Sequence, residues 1–233
     1  MYSNKFIISF ILSWFIFMSP LQSQVGIKGG PALSDIIFEI EGQIPYLGYG
    51  TNSLSHKLPY LTYQFGIFKT YQITNKIGFQ PEILYVKKGL NYSTEFIYDD
   101  IKYFVKIHYL EIPMLVKYDF TKEPKNHFAF LIGPYFSYTI DNIRYINTEN
   151  QVQKEKMSNI KKLDWGLAAS ISYDFTIQQN KFIVDFRTTY GLADMMELAE
   201  GYIKEYYGPN KERSRNVNIA LTFGYLLNFG EKR

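Results

Sequence analysis

The stretch Asn216-Val-Asn-Ile-Ala-Leu-Thr-Phe-Gly-Tyr-Leu-Leu-Asn-Phe229 alternates between apolar and polar or small residues. Val217, Ile219, Leu221, Phe223, Tyr225, Leu227 and Phe229 share one face, and Asn216, Asn218, Ala220, Thr222, Gly224 and Asn228 share the other. Only Leu226 departs. Side chains along a strand point to alternate sides, so the pattern is that of a strand with one apolar face. Ordinary globular strands run about 5–6 residues, whereas a strand tilted across a bilayer needs about 9–11. The stretch predicts the closing strand of an outer-membrane β-barrel.

The N-terminus agrees with export. Lys5 precedes an apolar run from Phe6 to Met18, and Pro20 ends it before small and polar residues begin. A charged start, a short apolar stretch and a small-residue end make a signal peptide; a spanning helix needs about 20 apolar residues. A membrane-anchoring helix is the alternative. Cleavage after Ser23 makes residues 1–23 the signal peptide and residues 24–233 one mature domain. There is no cysteine, which excludes a lipid-anchoring cysteine and any disulfide.

Composition narrows the function classes. Without Lys5 the chain keeps 24 basic residues against 22 acidic ones, so the formal charge falls from +3 to +2. That balance argues against a nucleic-acid partner, which would call for a concentrated basic stripe. Aromatic content is high, with 21 Tyr and 19 Phe, and barrels use aromatic girdles at both membrane interfaces. Mean hydropathy is only −0.17 because strand alternation averages a lipid face against a polar interior.

Seven further segments fit the same period. Leu163 to Phe175 and Phe182 to Leu192 alternate clearly; Phe128, Phe130, Ile132, Phe136 and Tyr138 share a face, as do Leu110 to Phe120 on even numbers. Ile77, Phe79, Ile83 and Tyr85 oppose Gly78, Gln80, Glu82 and Leu84, while Leu58 to Ile73 and Val25 to Leu33 are weaker. The expected fold is all-β, an eight-stranded antiparallel up-and-down transmembrane barrel. Tight turns are expected near Thr74-Asn75-Lys76, Lys122 to Asn126 and Gln178 to Asn180. Long loops are expected at Asp35 to Lys57, Asn91 to Lys102, Asp141 to Lys162 and Ala193 to Ser214. Short and long connections thus alternate, which places both termini in the periplasm and the long loops outside a Gram-negative cell. A soluble lipocalin-like barrel is the rival fold.

Two irregularities are expected. Pro81, Pro113 and Pro134 fall inside strands, where each removes a ladder donor and calls for a local bulge. Tyr103, Val105, Ile107 and Tyr109 are apolar on odd numbers, out of step with Leu110 to Phe120. One inserted residue in that strand near His108-Tyr109 would return both halves to the lipid face.

Several short motifs together resemble the PorT-like outer-membrane β-barrel family of the Bacteroidetes. They are Val25-Gly26-Ile27-Lys28-Gly29-Gly30, Gln80-Pro81-Glu82-Ile83-Leu84-Tyr85 with Lys88-Gly89, Tyr109-Leu110-Glu111-Ile112-Pro113, Gly133-Pro134-Tyr135, Asp185-Phe186-Arg187 with Tyr190-Gly191-Leu192, and Gly224-Tyr225. The resemblance covers essentially the whole mature chain and includes the in-strand prolines. It implies an outer-membrane barrel and work alongside a protein-secretion apparatus. Thr222, Gly224, Leu227 and Phe229 also resemble the signal read by the barrel-insertion machinery.

An eight-stranded barrel leaves an interior that side chains can fill. Lys28, Glu82, Glu111, Lys117, Asp164, Asp185 and Arg187 fall on the inward face, with Lys88, Asp119 and Asp174 nearer the ends. Both signs occur, so a self-neutralising polar network plugging the lumen is expected, with Glu111 and Arg187 one candidate pair; a narrow ion or proton path is the alternative. Catalysis has thin support. His108, three residues from Glu111 and near Ser93 and Thr94, is the one histidine suited to an acyl hydrolase, and strand alternation sets it opposite Glu111. No Cys/His cluster suggests a metal and no glycine loop suggests a nucleotide, so no cofactor is expected. In the outer loops, Met195 to Tyr207 reads as a short amphipathic segment packing on the barrel mouth, or as a contact surface. The expected function is a non-enzymatic, structural or interaction role in the cell envelope. The expected partners are outer-membrane lipid, the insertion machinery and an envelope or secretion-complex protein. A narrow porin-like channel and a lipid-modifying hydrolase are the alternatives.

Overall fold

The computed structural model describes residues 23–40, 55–95, 100–120, 126–147, 151–195 and 212–227. The strands are β1 (Ser23–Ile40), β2 (Ser55–Leu58), β3 (Tyr60–Gln72), β4 (Ile77–Glu95), β5 (Asp100–Asp119), β6 (Asn126–Asn147), β7 (Val152–Glu155), β8 (Leu163–Ile177), β9 (Asn180–Gly191) and β10 (Glu212–Leu227). Eight of them pair in the order β1-β3-β4-β5-β6-β8-β9-β10, each antiparallel to its neighbours. The final strand then pairs with the first, Val25 opposite Leu227 and Asp35 opposite Val217. The sheet closes, and an up-and-down barrel results. Closure removes the two sheet edges that an open eight-stranded sheet would expose. The short β2 and β7 add to β4 and β6 beyond the barrel.

The faces are inverted relative to a soluble barrel. Phe65, Phe136, Phe186 and Phe223 are each more than half exposed on the outside, while Glu82 and Arg187 are at most 1% exposed within. Water would not tolerate so continuous an apolar outer wall; hydrocarbon does. Along β5 and the residue that follows it, the outward apolar run extends from Phe120 to Leu110. Ten residue steps cover ~33 Å of strand, or ~25 Å of membrane normal at a ~40° tilt, which matches the apolar belt of outer-membrane barrels. Aromatic rings edge both rims. At the end carrying the termini, Phe128, Tyr173, Phe175, Phe182 and Tyr225 touch in series at 4.6, 5.7, 5.6 and 5.5 Å between centroids. At the loop end, Tyr63, Phe65 and Tyr85 form a second group.

Leu226, the one departure from alternation in β10, faces inward and packs with Phe68 and Ile183 at the terminal end of the lumen. Gly166 sits directly across from Tyr135, whose ring occupies the space above it. An aromatic neighbour covering a strand glycine restores packing that the missing side chain would lose.

Three expectations require correction. The ladder register is the same on both sides of Pro81, Pro113 and Pro134, so none of them carries a bulge. Instead, pairing lapses for a residue or two beside each and resumes in step, as a missing donor alone requires. The irregularity beside His108-Tyr109 exists, but its extra residue lies on the neighbouring strand: His108 opposes Asp141, Tyr109 opposes Thr139, and Ile140 is skipped. Strand β5 therefore keeps one parity throughout, and Val105, Ile107 and Tyr109 point into the lumen. Lastly, Asn91 to Lys102 is no long loop. The β4–β5 hairpin continues in register to Glu95 opposite Asp100, carried by strand-favouring residues such as Tyr92, Thr94, Ile101 and Tyr103. Strand β6 likewise continues past Asp141 to Asn147, and β1 past Asp35 to Ile40. The proposed signal peptide up to Gln22, Phe229, and all of Met195 to Tyr207 except Met195 lie outside the described residues.

Candidate functional site

The lumen is filled in layers. Near mid-barrel, Glu82 on β4 accepts hydrogen bonds from Arg187 Nη1 at 2.7 Å and Nη2 at 2.9 Å on β9, from Lys28 Nζ at 2.8 Å on β1, and from Gln80 Nε2 at 2.8 Å. Asp185 Oδ2, also on β9, accepts from Lys28 Nζ and from Arg187 Nη2, each at 2.9 Å. Strands β4 and β9 stand four places apart in a ring of eight, so the Glu82–Arg187 fork crosses the full width of the barrel. Two cations and two anions share the layer. Each charge meets an opposite one, the condition under which charges persist away from water. The fork is a planar, two-point contact that lysine could not make.

A second layer lies towards the loop end. Lys88 Nζ donates to Glu111 Oε2 at 2.7 Å, stands 3.9 Å from Asp164 Oδ2 and lies 4.5 Å from the Tyr135 ring centre. Ser137 Oγ donates to Glu111 at 3.0 Å, and Asn216 Nδ2 donates to Asp164 Oδ2 at 2.9 Å. Five strands contribute, so the layer ties the ring together. A third group occupies the terminal end: Lys117 Nζ is 2.5 Å from Asp174 Oδ2 and 3.7 Å from Asp119, with His127 Nε2 at 3.2 Å from Asp174. Gln72 Nε2 reaches Asp119 at 3.2 Å.

Above these layers sits an apolar cap. Ile36, Leu90, Val105, Ile107 and Tyr109 from the wall surround Ile160 and Met195, which come from the segments after β7 and β9. The backbone holds both in place, with Lys161 N bonded to Met195 O and Met195 N to Ser214 O, both at 2.9 Å. The lumen thus carries charged cross-links beneath and an apolar stopper at the loop end.

The Glu111–Arg187 pair does not form; Glu111 takes Lys88, and Arg187 takes Glu82 and Asp185. Tyr109, Tyr135, Gln80 and Asn216 also belong to the layers. Tyr135 shares parity with inward Gly133 and Ser137, a signal that could have found it. Tyr109 was hidden because an apolar residue on an apolar run reads as lipid-facing. His108 lies on the outer wall, its Nδ1 hydrogen-bonded to the Tyr85 hydroxyl, while Glu111 is buried inside. The barrel wall separates them. Of the terminal motif, Thr222 and Gly224 face the lumen and Leu227 ends β10 beside Val25.

The model of the outer membrane protein beta-barrel domain family matches residues 18–197. The chain belongs to that family. No curated protein matches it. Among solved structures the chain is similar to the outer membrane protein OprG of Pseudomonas aeruginosa, at 15% identity and TM-score 0.46 over 88% of this chain and 96% of that one. It is similar too to Neisserial surface protein A, at 13% identity and TM-score 0.39 over 86% and 96%. A third is the outer membrane protease OmpT of Escherichia coli, at 8% identity and TM-score 0.41 over 88% and 96%. Membership of the barrel family, with the closed fold, makes this an outer-membrane protein.

Proposed function

We propose that this barrel is a non-conducting, non-enzymatic scaffold of the outer membrane whose loop end contacts another envelope protein. Both termini lie in the periplasm and the loops face outward. The observation carrying this reading is the Lys28–Glu82–Asp185–Arg187 layer, which crosses the lumen and leaves every charge paired. The stopper built on Ile160 and Met195 supports it from above. Separation of His108 from Glu111 supports leaving out the hydrolase reading. The resemblance to PorT-like proteins makes a secretion-complex component the partner of choice, and Thr222, Gly224, Leu227 and Phe229 serve the insertion machinery during assembly.

A narrow channel is the second reading. Ser170 Oγ, Thr189 Oγ1, Asn218 Oδ1 and Thr222 Oγ1 line the β8–β10 side without hydrogen-bond partners. Buried oxygens of this kind are usually met by water, and a hydrated side could lengthen into a path. Planar-bilayer recording decides between the two. The scaffold reading expects no stepwise current from the wild-type protein; reproducible single-channel steps would replace it with the channel. Crosslinking in the outer membrane then tests the contact role, for which a stoichiometric envelope partner is expected and solitary recovery counts against it.

A further inference from the structure

The outer wall at the loop end carries a cluster of cations that the lumen does not use. Lys87 on β4 lies directly across from His108 on β5, and Lys106 lies two residues along the same face of β5. Residues so placed reach one another across a sheet. Lys87 Nζ sits 5.6 and 5.4 Å from the ring centres of Tyr60 and Tyr63, and Lys106 Nζ 4.2 Å from that of Tyr145. His108 is tied through Nδ1 to the Tyr85 hydroxyl, which leaves Nε2 as its free hydrogen-bonding atom. No carboxylate among the described residues pairs with Lys87 or Lys106. The nearest acid on this wall, Asp141 opposite His108, stands 3.8 Å from Lys156.

Position supplies the rest. Tyr85 and Leu110 are the last outward residues of the apolar belt on their strands, and Lys87, His108 and Lys106 follow immediately beyond. In a bilayer that is the headgroup level, where aromatic rings sit and basic side chains meet lipid anions. Two ammonium groups, a ring nitrogen and flanking tyrosines form a site for a phosphate ester whose acyl chains lie against Leu110, Phe65 and Ile67 below. We infer that this wall binds the phosphate of a lipid headgroup in the leaflet at the loop end. The inference stands whether or not the lumen conducts.

The test is native mass spectrometry of the full-length protein in detergent, incubated with phosphorylated lipid A or with the same lipid after enzymatic removal of its phosphates. The expected result is retention of one phosphorylated lipid and little of the dephosphorylated one. Lys87→Gln with Lys106→Gln should weaken retention about thirtyfold, from roughly fivefold per lysine at a membrane surface. Lys154→Gln, on exposed β7, should leave it unchanged. Equal retention of the two lipids overturns the proposal on the wild-type protein alone, whatever the variants do. Displacement by millimolar inorganic phosphate also overturns it, since the site would then take a free anion.

Discussion

Arg187 grips Glu82 with both terminal guanidinium nitrogens, at 2.7 and 2.9 Å, from the far side of the barrel. The two residues are separated by 105 positions in sequence and stand on strands that share no ladder. Such a strut does what backbone hydrogen bonds cannot. The ladders hold each strand to its two neighbours, while this fork ties opposite walls of the barrel together.

Breaking the fork on one side should be worse than removing it altogether. Glu82→Leu leaves Arg187 sharing Asp185 with Lys28, two cations on one acid, and should cost about 3–5 kcal/mol. Adding Arg187→Leu leaves Lys28 and Asp185 as a matched pair, so the double variant should recover part of that loss. Urea unfolding in lipid vesicles, read as a double-mutant cycle, checks it. Simple additivity of the two losses would show that the residues do not act together.

The stopper predicts a local effect. Met195 is 1% exposed, so Met195→Ala should remove about 2–3 kcal/mol of packing from the cap. Because Met195 lies outside the barrel ladders, the loss should appear first as faster proteolysis between residues 192 and 212. The heat-dependent shift in gel mobility, which reports barrel unfolding, should barely change. Equal effects on both would mean that cap and barrel unfold as one unit.

Gly166 predicts a backbone effect. A Cβ there would fall 2.0 Å from the Tyr190 carbonyl oxygen and 2.8 Å from the Tyr135 ring. The ring can swing but the carbonyl belongs to the β9 backbone, so Gly166→Ala should cost about 1–3 kcal/mol. Pairing it with Tyr135→Ala should recover little, since the carbonyl clash remains. Full recovery in the double variant would place the whole strain on the ring.

What the sequence made legible was whatever period two controls. Phe223 against Thr222, or Trp165 against Asp164, announces its face without knowledge of any partner strand. Period two fails where the inner face turns apolar. Val105, Ile107 and Tyr109 look like lipid-facing residues because the rule equating apolar with outside breaks down where consecutive inward positions are apolar, as they are in the cap. An insertion in β5 was then needed to explain a parity change that does not exist, and the true extra residue, Ile140, lies next door. Inward charges could be counted from parity, but their pairing depends on which strands face one another across the lumen. Glu111 is bonded to Lys88 on the neighbouring strand, while Glu82 and Asp185 take the terminal nitrogens of Arg187. The prolines misled in the opposite direction. A missing donor suggests a displaced register, whereas the ladders keep one register through Pro81, Pro113 and Pro134.

The lipid belt itself can be mapped by depth. Ile132 lies near the middle of the outward apolar run of β6, which extends from Phe128 to Ile140, and Tyr138 lies near its loop-end border, level with Leu110. A lysine at Ile132 must carry its charge through the hydrocarbon centre and should cost about 2–4 kcal/mol, while Tyr138→Lys can place its ammonium among headgroups for about 0–1 kcal/mol. The contrast isolates depth, because both positions share a strand, a face and roughly half exposure. Equilibrium unfolding from vesicles measures both variants against the wild type. Similar costs at the two sites would mean that the apolar wall lacks a membrane-depth profile, and the ~25 Å belt read from β5 would have to be abandoned.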